Sequence, residues 1–246
     1  MVVKKPIHHI IANGCSQTAN GIGGCPPSES SSGGCSFVDR GDGTYNEPGS
    51  WAGIVAQQLK VKSFVNLAAE SHGNYYIMQT FVDFLSQHQY PIDQTLAIFN
   101  VSEPARLDLP CSQDHPDRCN YVSYGNDILP YSWFKAPSRT HDSFRKNIGI
   151  EQAQAMSRVS LITLFAFLEQ LGLRYLFITM HDYREDADIG SVIKQNHNRI
   201  DLVPGNGIVE FGTLTSLLKD EVHPNLSGHD LIAQQVLAEI HQRWTV

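Results

Sequence analysis

Short apolar runs alternate along this chain with stretches of helical periodicity, and that alternation constrains its fold more than any other feature. Residues 8–12 (HHIIA), 63–67 (SFVNL), 95–100 (TLAIFN) and 173–180 (LRYLFITM) are short and apolar, with β-branched or aromatic residues, as buried strands are. Between them lie segments with a helical face. Ser50 stands as an N-cap before WAGIVAQQL, where Ala52, Val55, Ala56 and Leu59 fall at helical spacing. Residues 74–88 carry Ile77, Phe81, Phe84 and Leu85, residues 150–171 are periodic, and residues 226–244 carry Leu231, Ile232, Val236, Leu237 and Ile240. Strands alternating with helices predict βαβ units. The expected fold class is α/β, a three-layer α/β/α sandwich with about five mostly parallel strands.

Two polar stretches interrupt the pattern. From 17 to 49, 20 of 33 residues are Gly, Pro, Ser, Asn or Asp, which leaves no periodic apolar face and reads as a long loop. From 103 to about 140 the chain holds five of its twelve prolines together with Tyr121, Tyr124, Tyr131, Trp133 and Phe134. Residues 181–219 suggest a short helix near 189–199 and a short segment at 208–211. There is no repeat and no linker, so residues 1–246 are expected to form a single domain with insertions at 17–49 and 103–140.

Charge excludes several functions. The balance of 18 basic against 25 acidic residues gives −7, and the basic doublets Lys4-Lys5 and Arg145-Lys146 stand apart, so no nucleic-acid face is expected. The longest apolar stretch, 161–168, is broken by Thr163 and falls far short of a bilayer span. No apolar signal region precedes the first strand, so a cytoplasmic protein is expected. Cys25/Cys35 and Cys111/Cys119 lie in polar sequence, but a reducing compartment argues against pairing. Cys111-x3-His115-x3-Cys119 lacks a fourth ligand nearby and reads as loop thiols without metal. Gly21-Ile22-Gly23-Gly24 would need to open a helix to cradle phosphate, and Cys25-Pro26-Pro27 forbids one.

In open parallel sheets, ligands bind beyond the carboxyl ends of the strands, so residues following each strand carry the interest. After the first strand comes Asn13-Gly14-Cys15-Ser16-Gln17-Thr18, and after the second Asn66-Leu67-Ala68-Ala69-Glu70-Ser71-His72-Gly73-Asn74. After the third comes Asn100-Val101-Ser102-Glu103, and before the last helix Asp220-Glu221-Val222-His223-Pro224-Asn225. A serine nucleophile needs an imidazole to take its proton, and the imidazole needs a carboxylate to fix its tautomer. Asp220 and His223, three residues apart in a turn, can supply both for Ser16. Cys15 is a rival nucleophile, but adjacent side chains on a tight turn point different ways, and Ser16 is preferred. His181-Asp182, after the fourth strand, is a rival pair. An α/β-hydrolase elbow is excluded because Thr18 stands where its second Gly belongs.

With these residues in view, the chain resembles the SGNH or GDSL-type hydrolases. Gly14-Cys15-Ser16 is similar to their first block, Gly-Asp-Ser, and Asp220-x-x-His223-Pro224 to their last. Ser71 replaces the Gly of the second block, and the Gly-x-Asn of the third is absent. The resemblance implies an ester hydrolase with the triad Ser16, His223 and Asp220, and with backbone N–H groups of Ser16 and Ser71 in the oxyanion hole. Asn100 is the expected side-chain donor, ahead of Ser102 and Asn74. No metal or organic cofactor is implied, and the substrate is expected to be a small-molecule or carbohydrate ester. The departures in the middle blocks keep a second reading open, an inactive carbohydrate-binding domain of the same fold.

Overall fold

The computed structural model describes residues 5–14, 18, 37–38, 50–68, 73–102, 106–110, 121–124, 150–179, 199–201 and 224–244. Their elements, in chain order, are β1 (His9–Asn13), β2 (Phe37–Val38), α1 (Trp51–Gln58), β3 (Ser63–Asn66) and α2 (Asn74–Gln87). A 3-10 turn (Ile92–Gln94) leads into β4 (Thr95–Val101), followed by β5 (Leu107–Pro110), β6 (Tyr121–Tyr124), α3 (Ile150–Leu171), β7 (Arg174–Thr179), β8 (Arg199–Asp201) and α4 (Leu226–Arg243). The main sheet has six strands in the order β2-β3-β1-β4-β7-β8. Five run parallel, and β2 pairs antiparallel with β3 at one edge, Phe37 opposite Phe64. β5 and β6 form a separate antiparallel pair.

Burial on both faces explains why the strands read as continuous apolar runs. Every residue of β4 is buried. Ile10, Ala12, Leu96, Ile98, Leu176 and Ile178 share one core with Trp51, Val55, Ile232, Val236 and Ile240, so α1 and α4 cover that face. Ile11, Ala97, Phe99, Val101 and Phe177 share the other with Ile77, Phe81, Leu161, Leu164 and Leu168, so α2 and α3 cover the opposite one. Alternate residues of one strand thus feed different cores. The second core is built on aromatic edges. Phe81 meets Phe99 at 4.9 Å and Phe165 meets Phe177 at 4.1 Å, both near perpendicular, the arrangement that ring quadrupoles favour.

Local chemistry sets the helix ends. Ser50 caps α1 by accepting from Gly53 N at 3.5 Å, and Asn225 caps α4 by accepting from Gly228 N at 3.0 Å. α3 stops at Gly172, whose φ of +65 suits only a residue without Cβ. The sandwich and its parallel sheet match the expected class. Four strands depart from the sequence reading. β2 lies inside the stretch read as loop, β5 and β6 lie inside the second polar stretch, and Arg199, expected at the end of a helix, begins a strand paired with Phe177. The segment at 208–211 lies outside the described residues. No described helix is long and apolar enough to cross a membrane.

Candidate active site

Counting only the parallel strands in chain order, the sheet runs 2-1-3-4-5, so strand order reverses between β1 and β4. A crevice opens at such a switch point, outside the carboxyl ends of the strands, because the flanking connections leave on opposite faces. Asn13 and Asn66 end β1 and β3 there, Asn100 is the last residue but one of β4, and all three are buried.

Each amide is turned to a structural task by the face its strand position gives it. Asn13 follows Ile11 toward α2, where its Nδ2 donates to Ile77 O and Thr80 Oγ1, both at 2.9 Å. Its Oδ1 accepts from Gly14 N at 2.8 Å, so one side chain ties the start of the next turn to α2. Asn66 donates to Thr18 O at 3.0 Å and accepts from Ala68 N at 3.1 Å, bridging the turn after β1 to the turn after β3. Gly14 lies where the space closes. A Cβ on it would sit 2.7 Å from Thr18 Oγ1, 2.9 Å from Asn100 Cβ and 3.1 Å from Asn100 O. Only glycine lets the chain at position 14 lie this close to the end of β4.

Asn74, the first residue of α2, is also fully buried. Its Nδ2 donates to Ser102 O at 3.1 Å and to Ser157 Oγ at 2.6 Å, and its Oδ1 accepts from Ser102 N at 2.8 Å. A primary amide has two donor hydrogens, and both are committed. This corrects the expectation that Asn74 might supply an oxyanion donor. Ser102 meets Asn74 through its main chain on both sides. Asn100 is fully buried, with its Cβ and main-chain oxygen beside Gly14.

On the other face, Trp51 N, at the start of α1, donates to His229 Nδ1 at 3.2 Å. That nitrogen therefore carries the lone pair and Nε2 the proton. The bond joins the N-termini of α1 and α4, and His229 is buried to 2% exposure. Asp220 and His223 precede α4 in sequence, with Pro224 and the cap Asn225 next. Ser16, Ser71, Asp220 and His223 lie outside the described residues, as do Cys15, His181 and Asp182. Sequence reasoning named Asn13, Thr18 and Asn66 only as residues following their strands, and missed Ser157 and His229. The Asn13-Gly14 pair was legible as a turn signal, whereas Asn66, Thr18, Ser157 and His229 act through partners 48 to 178 positions away or across the Gly14 contact.

Compared with known proteins, the sequence matches the model of a family of unknown function, DUF6071, over residues 36–244. A search of curated proteins finds no match. Among solved structures, a protein from Lactobacillus plantarum is 13% identical and aligns over 100% of both chains with a TM-score of 0.51, a likeness of fold. A member of the lipolytic G-D-S-L family from Veillonella parvula is 13% identical over 96% of this chain and 99% of its own, with a TM-score of 0.49. A psychrotrophic esterase from Pseudoalteromonas is 10% identical over 96% of this chain and 97% of its own, with a TM-score of 0.48.

Proposed function

This chain belongs to the DUF6071 family, whose function is unknown, and from that premise we propose that it is a serine ester hydrolase of the SGNH type. The observation that carries the reading is the contact of Gly14 with Asn100 at the switch point between β1 and β4. It puts Gly14, two positions before Ser16 in the sequence, beside a buried amide, and sheets of this topology bind ligands at that edge. The blocks Gly14-Cys15-Ser16 and Asp220-x-x-His223 supply the reactive groups.

In this mechanism Ser16 Oγ attacks the acyl carbonyl while His223 takes its proton, and Asp220 orients and stabilises the imidazolium. The oxyanion is held by backbone N–H groups of Ser16 and Ser71 and by the side-chain amide of Asn100. Collapse of the tetrahedral intermediate expels the alcohol, protonated by His223. Water, deprotonated by the same imidazole, then releases the acid and restores Ser16. Each step uses only the chain's own groups and water. The substrate class is an ester with a small acyl group, carried on a sugar or a similar polyol.

A serine-directed fluorophosphonate with peptide mapping tests the reading directly. The label is expected on Ser16, and Ser16→Ala is expected to abolish both labelling and hydrolysis of p-nitrophenyl acetate. Label on Cys15 would move the nucleophile by one residue. A folded wild-type protein inert to both probes would favour a carbohydrate-binding domain.

A further inference from the structure

β4 outruns its neighbour. Its ladder with β1 ends at Phe99, opposite Asn13, while its ladder with β7 continues to Val101, opposite Thr179. Asn100 therefore stands on a strand end held by one neighbouring strand, and Ser102 lies just past the last rung. There a side chain takes over the work of a ladder. Asn74 accepts from Ser102 N at 2.8 Å and donates to Ser102 O at 3.1 Å, engaging the main chain of one residue from both polar groups as a paired strand would. Its remaining donor hydrogen goes to Ser157 Oγ at 2.6 Å, which ties the amide to α3. Asn74, Asn100 and Ser102 are each 0% exposed and Ser157 2%, so water does not compete for these bonds.

We propose that Asn74 is a positioning residue of the hydrolase site: by clamping the main chain of Ser102 it holds the end of β4 beyond its last rung with β1, and so fixes the Asn100 amide where the oxyanion forms. The inference rests on the esterase reading and deepens it. An oxyanion donor must be within a few tenths of an ångström of its place before the reaction begins, because its contribution comes from not having to reorganise. A strand end beyond its ladder with β1 gains that fixity from the two bonds between Asn74 and Ser102. Asn74 supplies it without touching substrate, since its amide is fully spent on Ser102 and Ser157.

The test measures kcat and KM for p-nitrophenyl acetate in Asn74→Ala, Asn74→Asp, Ser157→Ala, Asn100→Ala and the Asn74→Ala/Asn100→Ala double variant, beside Ser16→Ala. Asn74→Ala is expected to lower kcat at least ~10-fold with KM within ~2-fold, since ground-state binding does not use the clamp. Asn74→Asp keeps the acceptor for Ser102 N and loses the donors, so it serves where the alanine variant fails to fold. Its loss is expected to be smaller than that of alanine. Ser157→Ala leaves both bonds to Ser102 and should stay within ~3-fold of wild type on the same argument. Because Asn74 acts through Asn100, adding Asn74→Ala to Asn100→Ala should cost less than ~2-fold more. Losses that multiply in the double variant, a wild-type kcat in folded Asn74 variants, or Ser157→Ala as damaging as Asn74→Ala would each overturn the proposal. Turnover surviving in Ser16→Ala would instead overturn the esterase reading, and the clamp's catalytic role with it.

Discussion

The two edges of the parallel sheet are held by opposite chemistry. At the carboxyl edge, Asn13, Asn66, Asn74 and Asn100 are buried and uncharged, and most of the hydrogen bonds of Asn13, Asn66 and Asn74 go to main-chain groups. At the amino edge the groups are ionised and wet. Lys5 Nζ meets Asp93 Oδ2 at 2.5 Å with both side chains more than half exposed, and Arg174 donates to Lys5 O at 2.8 Å and to Asp93 O at 2.6 Å. His9 Nδ1 lies 2.7 Å from Ser63 Oγ, with Tyr90 edge-on to its ring. A buried amide satisfied on all sides holds backbone in one place without burying a charge, whereas an exposed ion pair adds little and tolerates movement. Among the described residues, the difference teaches where pre-organisation has been built: at the edge held by buried amides.

The sharpest way to break the comparison is Gly14→Ala. Two of the three contacts a Cβ would make are with Asn100, one of them its main-chain oxygen, which cannot move without moving β4. Overpacking of this kind costs about 3 kcal/mol. Displacing the turn before Ser16 should also lower kcat by ~10² or more, since small misplacements of reacting groups cost that much. Gly172→Ala is the matched control. Its φ of +65 makes alanine strained, but nothing lies within 4 Å, so a loss of about 1 kcal/mol with kcat unchanged is expected. Urea unfolding and steady-state kinetics on the two variants check both halves. Equal catalytic losses would show that any strain in the fold slows the reaction, and would remove Gly14 from the site.

Asn100→Ala comes next. A donor used only in the transition state is expected to lower kcat by ~10² with little change in KM. Ser102→Ala should cost less than ~10-fold, because its two bonds to Asn74 run through the main chain, which alanine keeps. If Ser102→Ala is the damaging change, the donor stands two residues further along the chain.

Most of the scaffold was legible because its signals are local. The helix over Ile150–Leu171 has the bounds that its periodicity predicted, and Ser50 caps α1 as its place before an apolar period implied. β2 and β8 were not legible, because two or three residues carry no alternation and exist as strands only through pairing with β3 and β7. The candidate site divides in the same way. Asn100 was found because it ends the apolar run 95–100. Asn74 was found as polar and near the site but given the wrong task, since what it holds lies 28 residues away at Ser102 and 83 away at Ser157. Asn66 and Thr18 came together only once β1 and β3 were paired.

At the amino edge the expected effects are smaller and fall on stability alone. Burial, with lesser effects from His8 and Lys62, holds the His9 imidazole below its ordinary value. The folded state thus binds fewer protons than the unfolded one as pH drops below about 6.5. His9 contributes stability that is present above that pH and is lost as pH falls through the lowered value. His9→Gln, which keeps a partner for Ser63, should flatten the decline in melting temperature between pH 7 and pH 5. An unchanged decline would mean that other groups cause it. No change in kcat at neutral pH is expected.

The smallest effect belongs to the ion pair. The Lys5 ammonium bonded to Asp93 holds its carboxyl below the ordinary carboxylate value, so the pair's stabilisation is present at neutral pH and is lost as pH falls through that lowered value. Both side chains are solvated, however, 58% and 55% exposed, and salt screens them. Asp93→Asn also leaves the bond from Arg174 intact, because the guanidinium donates to the main-chain oxygen of residue 93. At neutral pH and about 0.15 M salt the variant should therefore melt with the wild type within error and hydrolyse ester at the same rate. Lowering the salt tenfold should let a small destabilisation emerge, as the Debye length grows past the separation of the pair and its neighbours. A fall of more than about 3 °C at the higher salt would show that the amino edge bears on the fold as strongly as the buried amides do, and the contrast between the edges would fail.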